Sequence, residues 1–232
     1  MKIAMWSGPR NLSTAMMYAF GNRIDFAIWD EPFYAPYLMM TGVDHPMREE
    51  ILTAHETDPQ VVAARCAGPV PDGKPHSYMK HMPHHMVEGF PLDWAADCVN
   101  IHLIRHPARV IASYGAKRDR MDMADIGFAA QTRIYNALGG IVIDSADIQA
   151  DPEGMLRRLC GQIGLPFDDA MLCWPAGPRQ QDGIWAKHWY NAVHQSTGFA
   201  AAEGPLPELD PANAELMAEA MPHYSAMAAR KL

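Results

Sequence analysis

Lys2–Thr14 reads KIAMWSGPRNLST. Lys2–Trp6 is a short apolar run that closes on Ser-Gly-Pro, the pattern of a buried strand entering a turn. Ser13–Gly21, STAMMYAFG, carries the Ala- and Met-rich spacing of a helix, with Asn11 or Ser13 as its cap. A strand, a turn and a helix start aim several backbone N–H groups at one point, and the helix dipole adds positive potential there. Arg10 brings a full charge in a fork that matches phosphate geometry. Ser13 and Thr14 add hydroxyl donors. The whole run Ser7, Gly8, Pro9, Arg10, Asn11, Leu12, Ser13 and Thr14 is therefore expected to cradle a phosphate. It is not a Walker A loop, because the Gly-Lys pair of GxxxxGK[ST] is missing. The plainer alternative is an ordinary strand–turn–helix with a capping serine.

Working outward, further strands are expected at Asp25–Trp29, Ser77–His81, Val99–Arg105 and Ile141–Asp144. Helices are expected around Met47–His55, from Pro107 through Lys117, over Ala124–Leu138 and over Asp151–Ile163. Pro107 suits a first helical turn. Asp151 and Pro152 mark the start of the last of these helices, and Gly164 its end. Gly68–Pro75, with three prolines and two glycines, is a loop. Pro32–Asp58 begins irregularly. Trp174–Gly204 is a long ordered loop rich in aromatics, Gly and Gln, and such loops are usually functional. Residues 211–232 end in an Ala-rich helix. Short apolar strands alternating with helices argue for a parallel sheet covered on both faces, an α/β fold. In such sheets ligands bind at the carboxyl ends of the strands. Ser7–Thr14, Glu31, Lys80 with His81, and Arg105 all fall there.

The chain has 232 residues, enough for one substantial core, and residues 1–232 are read as a single domain. A net charge of −8 gives no global basic field, so nucleic acid is not an expected partner and any anion site is local. No apolar run reaches the roughly 20 residues that span a bilayer, and Met1–Ser7 is too short and mixed for a signal peptide. No membrane association is expected. Cys66, Cys98, Cys160 and Cys173 are scattered without a CxxC pair, so a cytoplasmic location is the default. The 17 Met residues suit adaptable packing.

Two later stretches carry chemistry. In Ile101–Lys117, IHLIRHPARVIASYGAK, Arg105 ends a strand and Ser113 lies two helical turns on. Arg105 is a second anion site on the sheet edge, or a solvated cap. In GIWAKHWYNAVHQSTGF, Lys187 stands among Trp185, Trp189 and Tyr190; a cation beside aromatics suits a phosphate and an adenine, and a flap over the core is the alternative. KHMPHHM contains His81, His84 and His85, but nothing else points to a metal, and none is expected. His102 and His106 are expected to be packing or hydrogen-bonded residues near the site.

With these blocks in hand, the chain resembles the sulfotransferases that use 3′-phosphoadenylyl sulfate (PAPS). Ser7–Thr14 looks like that family's 5′-phosphosulfate loop, with Arg10 in the place of its basic residue, although Leu12 stands where a Gly is usual. Arg105 and Ser113 match its 3′-phosphate site in spacing, with His106 where Asp or Asn is frequent. IVIDSADIQADPEGMLRRLCGQIGLPFDDAML is similar to its carboxyl half. The resemblance implies a three-layer P-loop NTPase-like fold with a central parallel sheet flanked by helices. It implies PAPS as the sulfuryl donor, with 3′-phosphoadenosine 5′-phosphate as product, and a small-molecule or carbohydrate acceptor bearing a hydroxyl. It also implies that residues 175–204 cover the nucleotide through Lys187 and Trp189. Catalysis would rest on positioning and on cations at the leaving oxygen, Arg10 and Lys80. The base would be Glu31, with His81 as an alternative. Glu31 as a helix cap, or paired with Arg10, is the bland reading. Asp30 should point the opposite way in its strand. The acceptor pocket would draw on Pro32–His55, His81–Phe90 and Met121–Tyr135. A P-loop kinase or hydrolase, and a catalytically silent nucleotide binder, are the competing readings. A homodimer is left open.

Overall fold

A computed structural model of the chain describes residues 1–115 and 121–232. Its centre is a parallel sheet of five strands: β1 (Lys2–Ser7), β2 (Phe26–Asp30), β3 (His76–His81), β4 (Val99–Ile104) and β5 (Ile141–Asp144), in the order β2-β3-β1-β4-β5. All five expected strands are present, each within a residue of its expected bounds. Met5 of β1 faces Lys80 on one side and Ile101 on the other, which fixes the register of the three central strands. After β1 the chain builds β2 and β3 on one side of it, then crosses over to build β4 and β5 on the other. The end of β1 is therefore the point where the strand order reverses, the usual ligand crevice of an open α/β sheet.

The period of two along β1 divides the core. Ile3 and Met5 pack with α1 (Ser13–Gly21), α2 (Tyr34–Thr41) and α3 (Arg48–Ala54) on one face. Ala4 and Trp6 pack on the other with α4 (Pro59–Ala67) and Trp94. On the sheet's far side, α5 (Pro107–Gly115), α6 (Met123–Ile126) and α7 (Phe128–Leu138) build a smaller cluster around Val110, Ile111 and Phe128. The end expected for α5, at Ala116 and Lys117, lies outside the described residues. α8 (Ser145–Ala150) and α9 (Pro152–Gln162) follow β5. Asp151 accepts from the Gly154 amide at 2.9 Å and Gly164 takes φ 68°, so both signals read in the sequence operate. The chain then passes through two single turns, α10 (Ala186–Trp189) and α11 (Asn191–His194), before α12 (Ala214–Ala228).

Helix was expected without interruption over Ala124–Leu138, but Gly127 breaks it at φ 73°. A Cβ there would meet His84 Nδ1 at 3.2 Å and the Gly8 Cα at 3.9 Å. The break lets this corner approach the β1 loop closely, which only glycine allows. α2, α4 and α8 were not foreseen. α8 carries a legible start, since the Asp144 side chain accepts from the Ala146 amide at 2.9 Å. Among the described residues no helix is long and apolar enough to cross a membrane.

Candidate functional site

A cavity of about 310 Å³ opens at the carboxyl edge of the sheet, and Pro9–Ala15 form one wall. Arg10 and Leu12 take left-handed φ of 64° and 74°, and Glu31, across the cavity, takes φ 41°. Such values cost a non-glycine residue roughly 1–3 kcal/mol and cluster where structure over-determines them. Leu12 caps α1 with no side-chain hydrogen bond. The first amides of that helix, which have no intrahelical acceptor, are thus left to the cavity.

The loop is braced from behind. Ser7 turns its hydroxyl to the Gly8 carbonyl, and the Gly8 amide donates to Gln131 Oε1 at 3.2 Å. Gln131 in turn donates to the Trp6 and Leu103 carbonyls. Asn11 donates to Leu103 O, and the Asn11 carbonyl accepts from Ser145. Ser7 and Gly8 are not part of the cavity wall, whereas Pro9, Arg10, Asn11, Leu12, Ser13 and Thr14 are. Gln131 was missed in the sequence, because a lone Gln on a helix carries no signal of what lies opposite it.

Arg10 and Arg105 meet at one end of the cavity. Arg10 Nε donates to Ser113 Oγ at 2.9 Å, and Arg105 donates to the Arg10 carbonyl at 2.5 Å. Burial, and then the charge of Arg105, lower the Arg10 pKa. A guanidinium whose charge is disfavoured by burial and by a second guanidinium makes a place for an anion. One is there already. The Glu203 carboxylate accepts from Arg105 Nε at 2.9 Å and pairs with Arg109 Nε at 2.7 Å.

Lys80 holds the other end. Its side chain is 2% exposed, and its ammonium donates to Asp30 at 2.9 Å, to Tyr190 at 2.7 Å and to Glu31. Tyr190 also donates to Asp30 at 2.7 Å. Asp30 was expected to point away from Glu31. Instead both carboxylates converge on Lys80, because the left-handed turn at Glu31 ends the strand alternation there. Nor does Glu31 cap a helix or pair with Arg10: α2 has no side-chain cap, and Glu31 bonds Lys80. Burial raises the Glu31 pKa above its usual 4.5, against the pull of Lys80. Burial alone would lower the Lys80 pKa, but Asp30 and Glu31 raise it. Tyr190 is pushed well above its usual value by burial and then by the two carboxylates, so the phenol remains a donor.

Besides Ser7 and Gly8, three expected residues are not part of the cavity wall: Ser113, which accepts from Arg10, and His81 and Lys187. His81 follows Lys80 in β3 and so faces the opposite side, stacked on Trp6 at 4.6 Å and close to Trp94. Burial lowers its pKa to about 3. Lys187 is exposed, because the turn of α10 buries Ala186 and sends Lys187 and His188 outward. Trp189 does line the cavity, whereas Trp185 lies in the core with its indole N–H toward Tyr190. Tyr34, Met82, His84 and His85 line the Glu31 end, and Asp125 joins the wall from α6. Each expected stretch of acceptor wall thus contributes at least one residue. Burial lowers the His84 pKa to about 3 and that of His85 well below its ordinary value. Among the described residues no three His, Cys, Asp or Glu side chains converge as a metal ligand set.

The family model of the sulfotransferase domain matches residues 1–231. The chain belongs to the sulfotransferase domain family. Solved sulfotransferases share its fold across nearly the whole chain. One is the sulfotransferase domain from the curacin biosynthetic pathway, at 15% identity and TM-score 0.58, covering 97% of this chain and 96% of that one. Another is a sulfotransferase from Alicyclobacillus acidocaldarius, at 13% identity and TM-score 0.56, covering 99% and 96%. The sheet with its flanking helices is thus the P-loop-like α/β fold of sulfotransferases. Two Arabidopsis thaliana proteins named branched-chain-amino-acid aminotransferase-like protein 2 and protein 1 are each 35% identical, over 230 and 229 residues. The chain spans about two fifths of the length of these relatives, 40% and 41%.

Proposed function

We propose that this sulfotransferase moves a sulfuryl group from PAPS to a hydroxyl of a small-molecule or carbohydrate acceptor. The observation that carries the reading is the polarity of one cavity. Two guanidiniums and helix amides stand at one end, and at the other two buried carboxylates, Asp30 and Glu31, share one ammonium, with Glu31 of raised pKa. The donor set suits PAPS: Arg10, the amides of Ser13–Ala15 and the hydroxyls of Ser13 and Thr14 for its 5′ end, and Arg105 for its 3′-phosphate. That Arg105 already holds a carboxylate supports an anion subsite there. Trp189 offers a face for adenine.

Bound here, PAPS supplies the sulfuryl group and a phosphate leaving group. Glu31 takes the proton of the acceptor hydroxyl as its oxygen forms the new bond to sulfur. Arg10 and the start of α1 hold the negative charge that gathers on the leaving oxygen as the old bond to sulfur breaks. Lys80 keeps Glu31 oriented toward the cavity. Tyr34, His84 and His85, the latter two neutral at pH 7, shape the acceptor end.

Arg105→Ala tests the donor assignment. It should weaken adenosine 3′,5′-bisphosphate by about 1.5–3 kcal/mol, roughly 10- to 150-fold in Kd. Adenosine 5′-phosphate should lose less than about threefold. Calorimetric titration without magnesium measures both. Equal losses for the two nucleotides would remove Arg105 from the 3′-phosphate site, and no binding of either by the native chain would overturn the PAPS reading.

A further inference from the structure

Arg105, in the wall of the cavity's anion end, is paired with a group that the sulfotransferase reading does not use. Glu203 lies in Phe199–Asp210, a stretch with no helix or strand. It is the single carboxylate between Asp182 and Glu208. Its side chain is only 7% exposed; Oε1 accepts from Arg105, and Oε2 forms an ion pair with Arg109 Nε at 2.7 Å. Arg109 also donates to the next carbonyl, Gly204 O. The stretch is fixed at both ends by other means. Gly198 bridges Cys173, and Leu209 packs against the cluster around Val110 and Ile111. Its middle is held by these guanidiniums and by one long hydrogen bond of 3.3 Å from Gln149 to Ala201 O.

We propose that Arg105 and Arg109 together form a two-guanidinium subsite for the 3′-phosphomonoester of the nucleotide, and that Glu203 is its tethered competitor. The inference rests on the PAPS reading and adds to it a second binding residue and a built-in anion that the nucleotide must displace. Charge decides the direction of exchange. Two guanidiniums carry two positive charges and Glu203 returns one, whereas a phosphomonoester carries about −1.5 to −2 at pH 7. The phosphate therefore matches the pair better than the carboxylate does, and its three oxygens suit two forks. Arg105 lies just before α5 and Arg109 in its first turn, and both forks reach the one Glu203 carboxylate. A nucleotide without a 3′-phosphate gains nothing from displacing Glu203. The contact is thus a specificity device: it lowers apparent affinity for bisphosphate and leaves the subsite closed to weaker anions.

The test uses the whole chain, titrated with adenosine 3′,5′-bisphosphate and with adenosine 5′-phosphate. Glu203→Gln keeps the size of the side chain and removes its charge. It should tighten the bisphosphate by about five- to tenfold, as expected when a competitor limits the open fraction, and change the monophosphate by less than about twofold. Adding Arg109→Ala to that variant should reverse the gain for the bisphosphate alone. In the native protein, bisphosphate but not monophosphate should raise amide hydrogen exchange over Phe199–Gly204, which needs no variant to fold. Unchanged or weaker bisphosphate affinity in Glu203→Gln, with the native chain still preferring bisphosphate, overturns the competitor. So does protection of Phe199–Gly204 by bisphosphate. A native chain with no preference for the 3′-phosphate overturns the parent reading and this one with it.

Discussion

Glu31→Gln is expected to lower kcat by about 10²- to 10⁴-fold, the usual contribution of a positioned base, with nucleotide affinity within about twofold of the native value. The two effects separate because Glu31 follows β2 and Arg105 follows β4, with β3 and β1 between them. Loss of the fold is not the expected cause. Lys80 keeps Asp30 and Tyr190 as partners in the variant, and an amide still accepts a hydrogen bond from the ammonium. The pH profile supplies the second check. A base must be deprotonated to act, so activity falls as pH drops through its pKa. Burial holds that value above the usual 4.5, so the acid limb of kcat should lie above the ordinary carboxylate range. It should vanish in Glu31→Gln. A variant that turns over normally, or that keeps the same acid limb, would take Glu31 out of the proposed mechanism.

The parts of this site that could be read from the sequence are those made by local rules. Ser-Gly-Pro after an apolar run ends a strand, and the Ala- and Met-rich run after it begins a helix. Arg10 therefore had to stand between them. Arg105 before Pro107 follows the same logic at β4, and Asp151-Pro152 at α9. The parts that stayed hidden depend on partners distant in the chain. Glu203 meets Arg105 across 98 residues, and Tyr190 meets Asp30 across 160. Nothing near either residue announces the contact, although an acid alone in a long stretch and an Arg repeated at a spacing of four were there to be seen. Asp30 was misread for a different reason. Strand alternation is a sound rule inside β2, but it ends where Glu31 leaves the allowed strand region. His81 shows the converse. There the alternation continues through the end of β3, and it turns His81 away from the cavity that Lys80 faces.

Lys80→Met tests whether the cation is what permits two carboxylates inside the protein. The side chains of Lys80 and Asp30 are 2% and 1% exposed, and that of Glu31 is 9% exposed. Removing one partner from a buried ion pair typically costs about 3–5 kcal/mol, because the remaining charge keeps its desolvation penalty. The loss here should depend on pH with a definite sign. Burial already raises the Glu31 pKa, Lys80 lowers it, and Asp30 raises it. Without Lys80 the folded-state value rises further above the unfolded one. A carboxylate of raised pKa favours the folded state below its unfolded pKa and loses that advantage as pH climbs through the folded value. The variant should therefore approach native stability near pH 5 and fall furthest behind at pH 8. Urea unfolding at the two pH values measures the difference directly. The triple variant Asp30→Asn, Glu31→Gln, Lys80→Met, which leaves no charge behind, should recover most of the loss at pH 8. A deficit of equal size at both pH values, unrelieved in the triple variant, would mean that Lys80 contributes through the packing of its four-carbon stem against Tyr190 and not through its charge.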